Sequence, residues 1–291
     1  MQLFSVKNLF YLGNYHQAIA EGETLENLSQ EQELERNYYL YRCYLAIGNY
    51  QTVLDEIKEN SPSSLLIIKL FASLLSDFDS KKADVLDTLD KWKKLNENQS
   101  DEMFKIIAAH IFCNCGDIDE ALRIIHNAKS LEALALRVQL LLLIHRQDIA
   151  LQELKNLQKI DDDATLTQLA TAWINLEEGS EKIKNAKYIF HELSEKYGAT
   201  HSLLNGKAVC EMKMGNFEEA EKLLIEALEK KPNDPTTFSN YVCCIQHLPK
   251  SDELIQRQIN KMQHLDKSHF IISSYNRLSE EFDKLANEFK I

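Results

Sequence analysis

The chain has 291 residues, with 44% apolar and 27% charged side chains, only 8 Gly and 4 Pro, and a formal net charge of −12. So few helix breakers suit a mostly helical protein. The acidity argues against a surface that neutralises a phosphate backbone or docks unaided on anionic lipid. The short basic runs Lys81-Lys82 and Lys93-Lys94 have acidic neighbours, so no nucleic-acid partner is expected.

The N-terminal stretch is apolar but interrupted by Ser5, Lys7 and Asn8, unlike a secretory signal. The most apolar run, Val138–Ile144, is too short to span a bilayer. A cytoplasmic protein without direct membrane insertion is expected by elimination. The six cysteines, Cys43, Cys113, Cys115, Cys210, Cys243 and Cys244, lie in apolar helical segments at spacings that suit neither disulfides nor zinc. They read as core thiols in a reducing compartment.

One local signature recurs four times: Gly13-Asn14-Tyr15, Gly48-Asn49-Tyr50, Gly116-Asp117-Ile118 and Gly215-Asn216-Phe217, with Ala18, Val53, Ala121 and Ala220 at plus five. The intervals of 35, 68 and 99 residues approximate one, two and three times a period of about 34, that of tetratricopeptide helix–turn–helix arrays. The expected fold is therefore all-α: a tetratricopeptide-like α-solenoid of about eight helical hairpins with a C-terminal capping helix. A stacked array needs no single growing core, so residues 1–291 read as one domain with a weak interruption at Asn96–Asp101.

In chain order, the first repeat carries Phe4 and Phe10 before Gly13, Tyr15 and Ala18, and the second Leu40, Tyr44, Gly48 and Ile57. The third, near Leu65–Trp92, shows only helical periodicity. The fourth has Phe112, Gly116, Ala121, Ile125 and Ala128. The fifth keeps Ala150 and Leu154 but places His145 where the turn glycine belongs. Trp173 and Ala186-x-x-x-Phe190 mark the sixth, with a longer turn at Glu177–Lys184. The seventh runs through Gly215, Ala220, Leu224, Ala227 and Pro232, with Asn216 as the expected cap of its second helix. The eighth, from Phe238, turns at Pro249–Ser251, and His269–Phe289 reads as one amphipathic capping helix.

Within helix A of the second repeat, Tyr41 and Tyr44 follow the packing face, so they are expected in the core. Tyr38 and Arg42 then project toward the inner surface of the superhelix. The same register points Lys7, Tyr11, Ile106, His110, Gln139 and Asn205 inward. Such surfaces bind extended peptides or a loop of another protein, with Tyr and Arg as anchors. These eight residues are the candidate partner-binding set.

Nothing in the sequence assembles a catalytic site. There is no Gly-rich phosphate loop, Gly-x-Ser-x-Gly or nucleotide fingerprint, and the 9 histidines are scattered. Asp161-Asp162-Asp163 lacks EF-hand spacing and reads as a helix start, with Thr165 and Gln168 as a capping box. No enzyme activity, cofactor or metal is expected.

Four stretches carry a more specific likeness: LFSVKNLFYLGNY (Leu3–Tyr15), YLYRCYLAIGNYQTVLDEIK (Tyr39–Lys58), DDDATLTQLATAWINLEEGSEKIKNAKYIF (Asp161–Phe190) and LLNGKAVCEMKMGNFEEAEKLLIEAL (Leu203–Leu228). In register over nearly the whole chain, they resemble the epsilon subunit family of coatomer, the COPI vesicle coat. The resemblance implies a non-catalytic coat subunit whose repeats curl into a ring. That ring would grip an extended hairpin segment in the C-terminal region of the alpha subunit, and through it join the other coatomer subunits. It also implies residence on Golgi membranes and COPI vesicles as part of the coat, in retrograde and intra-Golgi transport. The competing expectation is a generic tetratricopeptide adaptor or co-chaperone that captures C-terminal peptides.

Overall fold

In a computed structural model, residues 3–95, 100–265 and 270–289 are described, and they form 17 helices with no strand. The helices are α1 (Phe4–Tyr11), α2 (Tyr15–Glu23), α3 (Gln30–Ala46), α4 (Tyr50–Glu56), α5 (Ser63–Ser76), α6 (Phe78–Trp92), α7 (Glu102–Asn114) and α8 (Ile118–Ile125). They continue as α9 (Leu131–Leu143), α10 (Gln147–Ile160), α11 (Thr165–Glu178), α12 (Lys182–Tyr197), α13 (His201–Lys213) and α14 (Phe217–Lys230). Last come α15 (Pro235–Ile245), α16 (Asp252–Leu265) and α17 (Phe270–Glu288). The weak third repeat is a full hairpin, α5–α6. Most of the Asn96–Asp101 interruption, and His269 at the start of the expected capping helix, lie outside the described residues.

The recurring turn does what its composition requires. Gly13, Gly48, Gly116 and Gly215 all sit at φ between +83° and +87°, where a Cβ is disfavoured. In each, the next residue donates its N–H five residues back: Asn14 to Leu9, Asn49 to Tyr44, Asp117 to Phe112 and Asn216 to Glu211. This closes the orphan carbonyls of helix A in a Schellman arrangement. His145 adopts the same left-handed conformation at φ +58°, and Arg146 donates to Leu141 in the same way. The residue at plus five, Ala18, Val53, Ala121, Ala150 or Ala220, is fully buried in every copy.

Capping differs from expectation at Asn216, whose side chain does not cap α14; its Nδ2 donates instead to Glu211 Oε2 at 2.9 Å. Glu211 is buried and also holds Lys187, so the amide serves a buried carboxylate in preference to the next helix. Among the repeat turns, Asp117 does cap, accepting from Glu120 N. Elsewhere Ser29 and Gln32 form a reciprocal capping box at α3. Asp234 caps α15 with Pro235 at its first position.

Helix packing divides the chain into two compact units, Met1–Glu178 and Gly179–Ile291. The boundary falls in the turn of the sixth hairpin, where Gly179 and Ser180 both have positive φ. In the first unit one continuous apolar core runs from Val6 to Leu140, joined by a second cluster around Leu154, Leu157 and Ile174. The second unit packs Ala208, Ala220, Leu224 and Cys244 in one cluster. Phe238, Val242, Ile259, Met262 and Ile272 form another.

Cys43, Cys210 and Cys244 are buried, and burial pushes the Cys43 and Cys210 thiols up to about 12 and Cys244 to about 11. Cys113 and Cys115 are half-buried. Cys243 departs from the expected core role: it is exposed, whereas the adjacent Cys244 is buried.

Because His145 occupies a glycine conformation, His145→Gly should stabilise the fold by about 1 kcal/mol. Ala220→Leu, at a site with no spare volume, should destabilise it by about 1–3 kcal/mol. Urea unfolding checks both; a stability loss on His145→Gly refutes the turn assignment.

Candidate partner-binding surface of the first unit

Five of the eight inward-pointing residues meet at the centre of the first unit. The array there closes on itself: α1 packs against α3 and α11, and Thr165 of α11 donates to Asn8 Oδ1 of α1 at 3.0 Å, 157 residues away. This buried bond replaces the expected capping box. Gln168 instead donates to the Asp162 carbonyl, and Thr167 to that of Asp161. The three aspartates thus shape the turn into α11.

At the centre, Arg42 of α3 pairs with Glu132 of α9. Tyr11 and Tyr39 approach within 2.7 Å of each other, and each lies 3.0 Å from Glu132 Oε2. The Arg42 guanidinium rests over the rings of Phe10 at 4.4 Å, Tyr38 at 4.8 Å and Tyr39 at 5.4 Å, a cation–π arrangement strengthened by desolvation. Tyr38 donates to the Met103 carbonyl at 3.1 Å. Lys7 stands at the edge, 5.6 Å from the Tyr39 ring and paired with Glu35.

Burial alone would raise the Glu132 carboxyl, but Arg42 and the Arg42 and Tyr39 hydrogen bonds outweigh it and hold it below the usual range. Burial opposes the Arg42 charge, and Glu132 more than restores it. The phenols of Tyr11, Tyr38 and Tyr39 are driven well above 10 by burial. His110 is pushed down to about 4 by burial and by Arg42, so it is neutral at physiological pH. The set is a charge-balanced pair clad in aromatic rings, with no nucleophile and base in mutual reach.

The burial pattern on α3 reverses the sequence reading. Tyr38 and Arg42, expected on an open inner surface, are 1% and 7% exposed. Tyr41 and Tyr44, expected in the core, are only half-buried, and Tyr44 reaches Glu23. The closed array brings aromatic side chains of α1 and α3 together around the pair, so its inward positions become core. Ile106 is likewise 3% exposed. Lys7, Tyr11 and His110 keep partial exposure, and Gln139 is exposed. Asn205, in the second unit, is half-buried and accepts from Asn240 Nδ2 at 3.0 Å.

A cleft of about 280 Å³ opens beside the pair, lined by Phe10, Tyr15, Arg42, Phe71, Leu75 and His110 among others. Sequence reasoning missed Glu132, which looked like an ordinary acidic residue in the first turn of α9. The signal was present: Glu132 precedes Gln139 by seven residues, two helical turns, on the face already assigned inward.

The described residues form an all-helical set of tetratricopeptide-like hairpins, a helical-repeat scaffold. Solved structures agree on the fold. A chain of the APC/C hetero-tetramer Cut9–Hcn1 superposes with a TM-score of 0.64 at 12% identity, covering 92% of this chain and 53% of that one. A tetratricopeptide repeat protein from Parabacteroides merdae gives 0.61 at 13% identity, covering 91% and 98%.

The family model of the coatomer epsilon subunit matches residues 1–290. Coatomer subunit epsilon-1 of Arabidopsis thaliana is 40% identical over 99% of this chain and 97% of its own length. The epsilon subunits of Dictyostelium discoideum and Caenorhabditis elegans are 38% and 31% identical, each over 99% of this chain and 98% of their own. The chain belongs to the coatomer epsilon subunit family, a component of the COPI coat.

Removing one partner of the central pair strands a buried charge, so Glu132→Ala should cost about 3–5 kcal/mol in urea unfolding. His110 binds its proton near 6.5 when unfolded but near 4 in the fold. The unfolded chain therefore holds more protons across that window, and stability falls as pH drops through it. Below about 4.5 the depressed Glu132 carboxyl adds to the loss. His110→Gln should flatten the stability–pH slope between 6.5 and 4; an unchanged slope shows that His110 is not the group responsible.

Proposed function

We propose that the chain is a non-catalytic structural subunit of the COPI coat that binds and stabilises the C-terminal region of the alpha subunit. Through that partner it associates with the other coatomer subunits on Golgi membranes and vesicles, in Golgi-to-ER and intra-Golgi transport. The observation that carries this reading is the family match from residue 1 to 290. No helix among the described residues is long and apolar enough to cross a membrane, which agrees with recruitment through a partner.

The inward set takes two roles in this proposal. Tyr38, Arg42 and Ile106 fix the shape of the centre. Lys7, Tyr11, His110 and Gln139 in the first unit, and Asn205 in the second, present the contacts. Capture of a C-terminal carboxylate, the co-chaperone alternative, fits less well, because Arg42 is already neutralised by Glu132. A second carboxylate there would face an uncompensated negative charge.

The purified chain and the C-terminal region of the alpha subunit should co-elute as a 1:1 complex at micromolar concentration; separate elution overturns the assignment. Lys7→Ala combined with Gln139→Ala should weaken that complex about tenfold, or about 1.4 kcal/mol. Both positions are at least partly exposed, so the fold should survive, and unchanged affinity discards this inward face as the contact surface.

A further inference from the structure

Helix α17 begins as a cap and ends as something else. Near its start Ile272 is fully buried against Phe238, Val242, Ile259 and Met262, with Tyr275 packed beside it. Gln263 ties α16 to α17 through Asn276 at 2.8 Å. Beyond that point Leu278, Phe282, Leu285 and Phe289 are 63%, 70%, 53% and 73% exposed. The cap of a helical array normally turns a polar face outward; this one turns out large apolar side chains.

These four residues are spaced four, three and four apart, the a/d pattern that forms one seam along a helix. The positions flanking the seam are Ser279 and Ala286 on one side and Glu281 and Glu288 on the other. Glu281 makes an exposed pair with Lys284 on its own helix, worth little and readily exchanged.

We infer that the distal half of α17 is a docking seam for a helix of another protein, one with an apolar face flanked by Lys or Arg. The flanking charges select that occupant. Two copies of α17 packed antiparallel would set Glu281 and Glu288 against each other. Packed parallel, the same glutamates would face Ser279 and Ala286 and gain nothing. The chain's net charge of −12 adds to the repulsion between copies. An anionic membrane is disfavoured too, since Glu280, Glu281, Asp283 and Glu288 outnumber Arg277 and Lys284 on the exposed segment. This inference needs neither the inward surface of the first unit nor the identity of its partner.

The test titrates the full-length chain with two synthetic amphipathic helical peptides sharing Leu and Ile at a and d. One has Lys at e and g, the other Glu. The Lys peptide should bind at least tenfold tighter, and more weakly as salt rises. Leu278→Ser with Phe282→Ser should abolish that binding while thermal unfolding of the chain stays unchanged. Should that pair disturb the fold, Leu285→Lys with Phe289→Lys serves instead, further from the packed Ile272. Equal affinity for both peptides, no binding of either, or Lys-peptide binding that survives the substitutions overturns the inference. So does dimerisation of the chain, or its binding to phosphatidylserine vesicles, that the same substitutions remove.

Discussion

Arg42 and Glu132 lie 90 residues apart and meet at the centre of the first unit, where neither charge would be tolerable alone. Much else in that unit can be read as the consequence of accommodating them. Tyr11 and Tyr39 crowd the carboxylate with hydroxyls. Phe10, Tyr38 and Tyr39 offer ring faces to the guanidinium. The pair spans α3 and α9, and Tyr11 brings in α1, so the first two hairpins are fixed in register with the distant fifth. Apolar packing between neighbouring hairpins sets only local geometry. A directional, buried contact between distant ones also sets how far the array curls. Hydrophobic residues of similar volume would supply comparable stability without specifying which helices meet.

The repeat itself rests on a simpler constraint. A left-handed residue ends each helix A, and a small residue at plus five lets helix B come close. Those demands are local in sequence, which is why four of the turns were legible at once and His145 was recognisable as a fifth. The inward register was legible in part. It picked out Tyr38, Arg42 and His110 as companions, but their burial was not readable, because it depends on how tightly the array closes. That closure rests on Asn8 meeting Thr165 and Arg42 meeting Glu132, contacts with no local periodicity. Tyr41 and Tyr44, assigned to the core by the repeat's packing face, do pack against it but stay half-buried.

Capping shows the same division between local and distant information. Ser29 and Gln32 cap α3 because both partners lie within one turn. Asn216 and Thr165 have equally good local credentials and are used elsewhere, by buried Glu211 and by Asn8. A buried polar atom without a partner costs about 1–3 kcal/mol, whereas an N-cap is worth about 1 kcal/mol. Where the two compete for one side chain, the buried demand prevails.

Charge is distributed differently at the centre of the first unit and on the last helix of the second. At the centre each charge has its counterpart within the chain, so the adjoining cleft presents apolar rings and a neutral imidazole. A terminal carboxylate there would meet a guanidinium already neutralised by Glu132. Among the described residues, the acidic flanks of α17 have no basic counterparts across the seam, and Leu278, Phe282, Leu285 and Phe289 are exposed. A buried pair without surplus charge fixes a shape; an exposed seam with surplus charge selects a partner, because flanking charges discriminate between helices more than they strengthen any one pairing. A scaffold of this kind needs both: a centre that keeps its form and an acidic edge that rejects copies of itself.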